Sequence, residues 1–260
     1  MFYSRWMRVL AGVLLAGGLL VAQTANPKQP KLKSKAEQEA VMAIFQAQTL
    51  DARLQASENL ITKFADTDFK ATAFYIAAET YSAKGDLDNA VAYAERALEA
   101  DPQFYGASLL VARVLAQRTR EFDLDKEEKL GRAEKLAKTA IEQVQTAPKP
   151  RPDLPEEQWA QAKKDFEAQA HEVLGMTASI RKKYEDAAAE FKKASEMSAQ
   201  QDPALFVRLG GTYSSLGKYD EAIAAFDKAL ADPNASAQVK KIALDEKMKA
   251  QAKKGAAPKQ

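Results

Sequence analysis

Two serine–lysine pairs are the first residues whose types and spacing could do chemistry: Ser179-Ile-Arg-Lys182 and Ser215-Leu-Gly-Lys218. In that spacing a lysine amine can take the proton from a serine hydroxyl and make it a nucleophile for acyl transfer. Both pairs lack the accompanying S-D-N and K-T-G elements, and both fall at the end of a helical stretch, where solvated side chains are the simpler reading. His171 is the single histidine, a lone proton shuttle or a packed imidazole. Glu127-Glu128 and Glu156-Glu157 are adjacent carboxylates. Neighbours in sequence do not share a helix face, so they suit a helix N-terminus better than paired acid–base work. Cysteine is absent, which excludes disulfides, thiolate nucleophiles and Cys-bound zinc. No glycine-rich phosphate loop and no metal-ligand spacing occurs. These residues predict no catalytic set, no metal and no cofactor.

The elements that would position such side chains are helices. The chain has 51 alanines against 11 glycines and 10 prolines, a composition for closely packed helices rather than a β-sandwich. Its N-terminus has Arg5 and Arg8 before an uncharged apolar run, Val9–Ala22. That is the pattern of a signal peptide, or of an uncleaved membrane anchor, in residues 1–22; the arginines predict export of the rest of the chain. Residues 23–35 read as a basic tether, with two prolines and Lys28, Lys31, Lys33 and Lys35.

A repeat occupies the body. From Phe74 the chain reads F-x-x-A-A-x-x-Y to Tyr81, followed by Gly85, Ala90, Ala97 and Asp101-Pro102. From Phe206 it reads F-x-x-L-G-x-x-Y through Gly210 to Tyr213, followed by Gly217, Ala222, Phe226, Ala229 and Asp232-Pro233. A third copy has Leu174-Gly175, Ala178, Tyr184, Ala187, Phe191 and Ala194, with His171 at its leading aromatic position. The small residue in mid second helix recurs at Ala56, Ala90, Ala133, Ala187 and Ala222, at intervals of 34, 43, 54 and 35. The long intervals coincide with two insertions: the charged turn Glu121–Glu128 and the Pro-rich stretch 146–157.

These residues resemble the tetratricopeptide repeat, a helix–turn–helix unit of 34 residues with the signature W-x2-L-G-x2-Y and then Ala, Phe and Pro. The resemblance implies an all-α, right-handed superhelical solenoid over 36–254. We expect helix pairs at 36–64, 70–100, 103–145, 156–199 and 203–231, then a capping helix over Ser236–Lys254 and a disordered tail, 255–260. Ala78, Gly175 and Gly210 would sit at helix crossings opposite Ala90, Ala187 and Ala222, with Ala97 and Ala229 two turns on. Gly85 and Gly217 would take left-handed caps. Asp101-Pro102 and Asp202-Pro203 would open helices, and Tyr81, Tyr213, Phe191 and Phe226 would fill the space between them.

The family binds proteins on the concave surface lined by first helices. By resemblance, the inward positions carry Tyr75, Glu79 and Ser82, then Leu109, Arg113 and Gln117, then Glu172, Met176 and Ser179, then Val207, Gly211 and Ser214. The lysine and asparagine by which some members grip a partner's C-terminal carboxylate are not matched here. The lining suits an extended segment or a helix of another protein. A non-catalytic interaction scaffold, exported to the cell envelope or periplasm, is the function this reading implies. The alternatives are a periplasmic holdase and, on the Ser179 and Ser215 pairs alone, an envelope hydrolase.

Charge adds polarity. The net charge is +2, with no overall nucleic-acid signature. Residues 240–260 hold seven lysines against Asp245 and Glu246, and the tether adds four more, so residues 36–239 carry a net −9. Basic ends flank an acidic body, and membrane-surface contact through those ends is expected.

Overall fold

The computed structural model describes residues 30–150, 153–200 and 202–256; the residues expected to form a signal or anchor segment, most of the expected tether and the last four residues lie outside these. The described residues form eleven α-helices and no strand. They are α1 Lys35–Gln46, α2 Leu50–Lys63, α3 Lys70–Ala83, α4 Leu87–Ala100, α5 Tyr105–Arg118, α6 Lys126–Thr146, α7 Glu156–Ile180, α8 Tyr184–Met197, α9 Pro203–Ser215, α10 Tyr219–Ala231 and α11 Ala237–Ala256. Their order matches the expected helix pairs, and the fold is all-α, with helices packed against their neighbours in the chain.

The chain divides into two compact units, one up to Val114 together with Gln145–Trp159, the other Leu115–Val144 together with residues from Ala160 on. In the first, α1 packs on α2, α2 on α3 and α3 on α4. In the second, α8 packs on α9, α9 on α10 and α10 on α11. Small residues set these distances. Ala78, Ala90, Ala97, Ala133, Ala187, Ala222 and Ala229 are all fully buried. A Cβ on Gly175 would lie 2.6 Å from the Phe191 ring, and one on Gly210 would lie 2.6 Å from that of Phe226. Only a bare backbone lets those rings, themselves buried, lie across the facing helix. Tyr81 and Tyr213 are half-buried; Tyr81 packs on Tyr93 with ring centroids 5.0 Å apart.

Three first helices end alike. Gly85 (φ 79°) and Gly217 (φ 73°) are left-handed, as expected, and Lys182 (φ 61°) takes the same conformation at the equivalent point. In each, the following amide reaches back five residues: Asp86 N to Tyr81 O, Lys183 N to Ala178 O, Lys218 N to Tyr213 O. This hydrogen-bonded ending requires the left-handed residue whatever its side chain.

Three expectations are corrected. Pro102 does not open a helix: Asp101–Phe104 closes as a turn and α5 starts at Tyr105, which places Phe104 against Tyr75 at 5.0 Å. At Asp202-Pro203 the expected arrangement is present, with the Asp202 carboxylate accepting from Ala204 N. In α2 the fully buried small residue is Ser57, and Ala56 is only half-buried, so the first pair is out of phase with the others. The contact face of α11 is Ala243 and Ala250, leaving Ile242 and Met248 exposed. Small side chains allow close approach to α10, and larger ones would hold the helices apart. Helix α11 also runs through Gly255 and Ala256, two residues expected in the tail.

The last tether residues lie against the first unit. Lys31 N donates to Asp68, Lys33 Nζ pairs with Asp66 and Asp68, and buried Glu37 accepts from Thr67 Oγ1 at 2.6 Å and from Lys33 N at 2.5 Å. The hydrogen bond from Lys31 holds the Asp68 carboxyl below its ordinary range.

Candidate protein-binding groove

First helices carry the expected inward positions, and the structure treats these positions unequally. In the first unit Tyr75 is half-buried against Phe104 and Gly106, where it supports the fold. Glu79 and Arg113 pair with each other across α3 and α5 at 3.5 Å. Leu109 is buried and Ser82 half-buried.

The second unit contains a cleft of about 350 Å³. Its walls are the end of α5 (Ala116, Gln117) with Thr119 and Arg120, the end of α7 (Met176, Ser179, Ile180), and α9 (Arg208, Gly211, Thr212, Ser215), while Phe191 of α8 reaches its floor. Gln117, Met176, Ser179 and Gly211 are brought together here. Val207 and Ser214 stay outside, half-buried, and Glu172 enters only through Arg208, whose Nη1 donates to it at 2.6 Å.

Local sequence explains the shape. Gly211 follows Gly210 in α9; the first faces Phe226, while a Cβ on the second would meet no atom within 4 Å. Gly210 lets two helices touch, and Gly211 leaves the cleft open. Met176 is 7% exposed and Phe191 1%, so the floor is apolar. The hydroxyls of Thr212 and Ser215 donate back to the carbonyls of Arg208 and Gly211, and Arg120 Nη1 donates to Gln117 O. The wall of α7 is fixed from behind by Arg181, which donates to Glu127 at 2.8 Å and to Glu134 at 2.5 Å. The hydrogen bond from Arg181 holds Glu127 below the ordinary carboxylate range.

Arg120, Arg208, Ile180 and Thr212 line the cleft and were not among the inward positions implied by the family pattern. Arg208 is one residue beyond Val207, so the tilt of α9 decides which of the two faces the opening. No spacing rule reports that tilt.

The serine–lysine pairs do not assemble. Lys182 is left-handed and its ammonium pairs with Glu121 at 2.5 Å, which raises its pKa and keeps the amine protonated. Ser215 donates to its own helix backbone. His171 is buried, with Nδ1 2.6 Å from Glu190 on α8, the packed role that its repeat position implies. Among the described residues no group of three His, Asp or Glu side chains could hold a metal ion.

Comparison with known proteins agrees with the fold. Tetratricopeptide repeat models match residues 71–104 and 180–244. Both segments are tetratricopeptide repeats. The repeat protein shares its fold with a thermophilic TPR protein of Thermus thermophilus at 18% identity and a TM-score of 0.57, over 82% of this chain and 99% of that one. Two MamA structures are also similar. One has 18% identity and a TM-score of 0.46, over 72% of this chain and 84% of that one. The other, an RS-1 ArsTM double mutant, has 17% and 0.48, over 75% and 89%. No curated protein sequence matches the repeat protein. Tetratricopeptide repeats generally mediate protein–protein interaction and are generally non-catalytic.

Proposed function

We infer that the repeat protein is a non-catalytic interaction scaffold that takes a segment of a partner protein into the cleft between α5, α7 and α9. The observation that carries this reading is the cleft itself. Three successive first helices converge on it, with an apolar floor of Met176 and Phe191 and a rim bearing Arg120 and Arg208. An apolar floor with a few placed polar groups binds a side chain and orients it. A holdase would need broad exposed apolar surface, and the exposed large hydrophobics among the described residues are confined to Leu32, Phe122, Leu124 and three positions on α11. Placement in the cell envelope is part of the proposal and rests on the basic head and apolar run of residues 1–22.

Gly211→Leu tests the groove. It fills the cleft from open space and favours the helix, so lost binding does not report unfolding. Crosslinking in the native cells, read by mass spectrometry, should identify a partner whose recovery falls at least tenfold in this variant. Undiminished recovery would remove the cleft from the binding site. The same spectra report the mature N-terminus, and a cytoplasmic partner set would overturn the envelope placement.

A further inference from the structure

The turn between α5 and α6 presents the two most exposed large hydrophobics among the described residues, Phe122 at 87% and Leu124 at 107% of full exposure. Turns 84–86, 181–183 and 216–218 join the other repeat helices with three residues each, whereas this one has seven, 119–125. The added residues bring two apolar side chains that contribute nothing to the core. Apolar side chains placed together in water mark an interaction surface.

The turn is also ordered. Asp123 N donates to Arg120 O and Lys126 N to Asp123 O, both at 3.2 Å, and Arg120 N donates to Asp123 Oδ2 at 3.0 Å. Lys129 pairs with Asp125 at 2.8 Å, and Lys182 pairs with Glu121. A prong held this way loses little conformational freedom when it binds.

The cleft begins at the root of the prong, since Thr119 and Arg120 line it. We propose that two copies of the chain associate by inserting Phe122 and Leu124 of each into the cleft of the other. This rests on the reading of that cleft as a binding groove. Two features select a second copy as the occupant. Prong and cleft are neighbours on one surface, which makes the patch self-complementary, as a two-fold interface requires. An apolar cavity of about 150 Å³ holds a benzene-sized group, so about 350 Å³ has room for a phenyl ring and a leucine side chain. Glu121 and Asp125 beside the prong and Arg208 at the opening are already paired within their own chain, so the contact is an apolar one. A partner held in the groove would then compete with the second copy.

The absence of cysteine makes a direct test available. Full-length Phe122→Cys and Gly211→Cys chains are mixed and oxidised; a thiol at position 211 would point into open space. The mixture should give disulfide-linked dimer at least fivefold above a control mixture of Leu244→Cys with Gly211→Cys, because Leu244 is exposed on α11 and belongs to neither prong nor cleft. In sedimentation velocity the wild type should shift from monomer to dimer as concentration rises. Phe122→Ser/Leu124→Ser should stay monomeric with unchanged helical circular dichroism. Dimer no greater than in the control, or a wild type that stays monomeric, overturns the proposal. A monomeric wild type that binds phosphatidylcholine–phosphatidylglycerol vesicles through Phe122 and Leu124 overturns it in favour of a membrane contact. In either failure, a foreign protein crosslinked at the cleft would leave the scaffold reading standing.

Discussion

Adjacent glycines in α9 should respond to the same substitution with opposite sign. A Cβ at Gly210 would lie 2.6, 2.8 and 2.9 Å from Cε1, Cδ1 and Cζ of Phe226. Carbon atoms rest at roughly 3.5–4.0 Å, so the ring must retreat by about 1 Å. It has nowhere to go, being fully buried among Phe206, Ala222, Ala229, Ala243 and Ala250. Overpacking of this kind costs about 1–3 kcal/mol. Replacing a helical glycine by alanine returns about 1 kcal/mol, which leaves Gly210→Ala destabilised by up to about 2 kcal/mol. Gly211→Ala meets no atom and should be stabilised by about 1 kcal/mol. The helix contribution is common to both, so their difference of about 1–3 kcal/mol isolates the steric contact. Urea denaturation followed by circular dichroism measures it; with a slope of about 1–3 kcal/mol/M the midpoints should separate by about 1 M. A Gly210→Ala midpoint at or above that of Gly211→Ala would refute the close-crossing argument. Gly175→Ala, against Phe191 at 2.6 Å, should behave like Gly210→Ala.

The left-handed caps provide a second sign test. Lys182→Gly should raise stability by about 0.5 kcal/mol, since relief of the left-handed strain outweighs the added chain entropy and the lost exposed pair to Glu121. Gly217→Ala at the equivalent point should lower it by about 1 kcal/mol, both read from thermal or urea midpoints. Arg181→Met removes the hydrogen bonds to Glu127 and Glu134 and should cost about 1–2 kcal/mol, with faster amide exchange at the end of α7. The Lys31–Asp68 contact should respond to acid. Asp68 has a depressed folded pKa, so its contribution is present above the unfolded carboxylate value and is lost as pH falls through the folded one. Exchange of the Lys31 amide should accelerate in that acid window and, in Asp68→Asn, should lose the pH dependence. An amide insensitive to both would show that residues 30–34 are not held by this carboxylate.

Much of the repeat was legible because its signature is steric and local. A glycine or alanine every repeat, with an aromatic residue one helix away, means only one thing when helices must cross closely, and the Gly175–Phe191 and Gly210–Phe226 contacts bear this out. Lys182 was less legible: a lysine does not announce a left-handed conformation, which here is imposed by the hydrogen bond from Lys183 N to Ala178 O. The start of α5 was misread for a related reason. Asp-Pro favours a helix N-terminus, but at Asp101-Pro102 it begins a turn that places Phe104 against Tyr75. On α11 alanine and isoleucine are both apolar, and which of them is buried depends on how near the next helix comes.

By itself the sequence determined the helical class, the repeat, its two insertions and the absence of a cysteine-based chemistry, since these depend on residue type and spacing along one chain. Only the tertiary structure decided which of the inward positions meet. Glu79 and Arg113 neutralise each other, Tyr75 supports the fold, and Gln117, Met176, Ser179 and Gly211 converge on a cleft with Arg120 and Arg208. The physical reason is that a groove is made by the crossing angle and tilt of helices distant in sequence. Those angles are set by how side chains such as Phe191 and Phe226 pack across the facing helix.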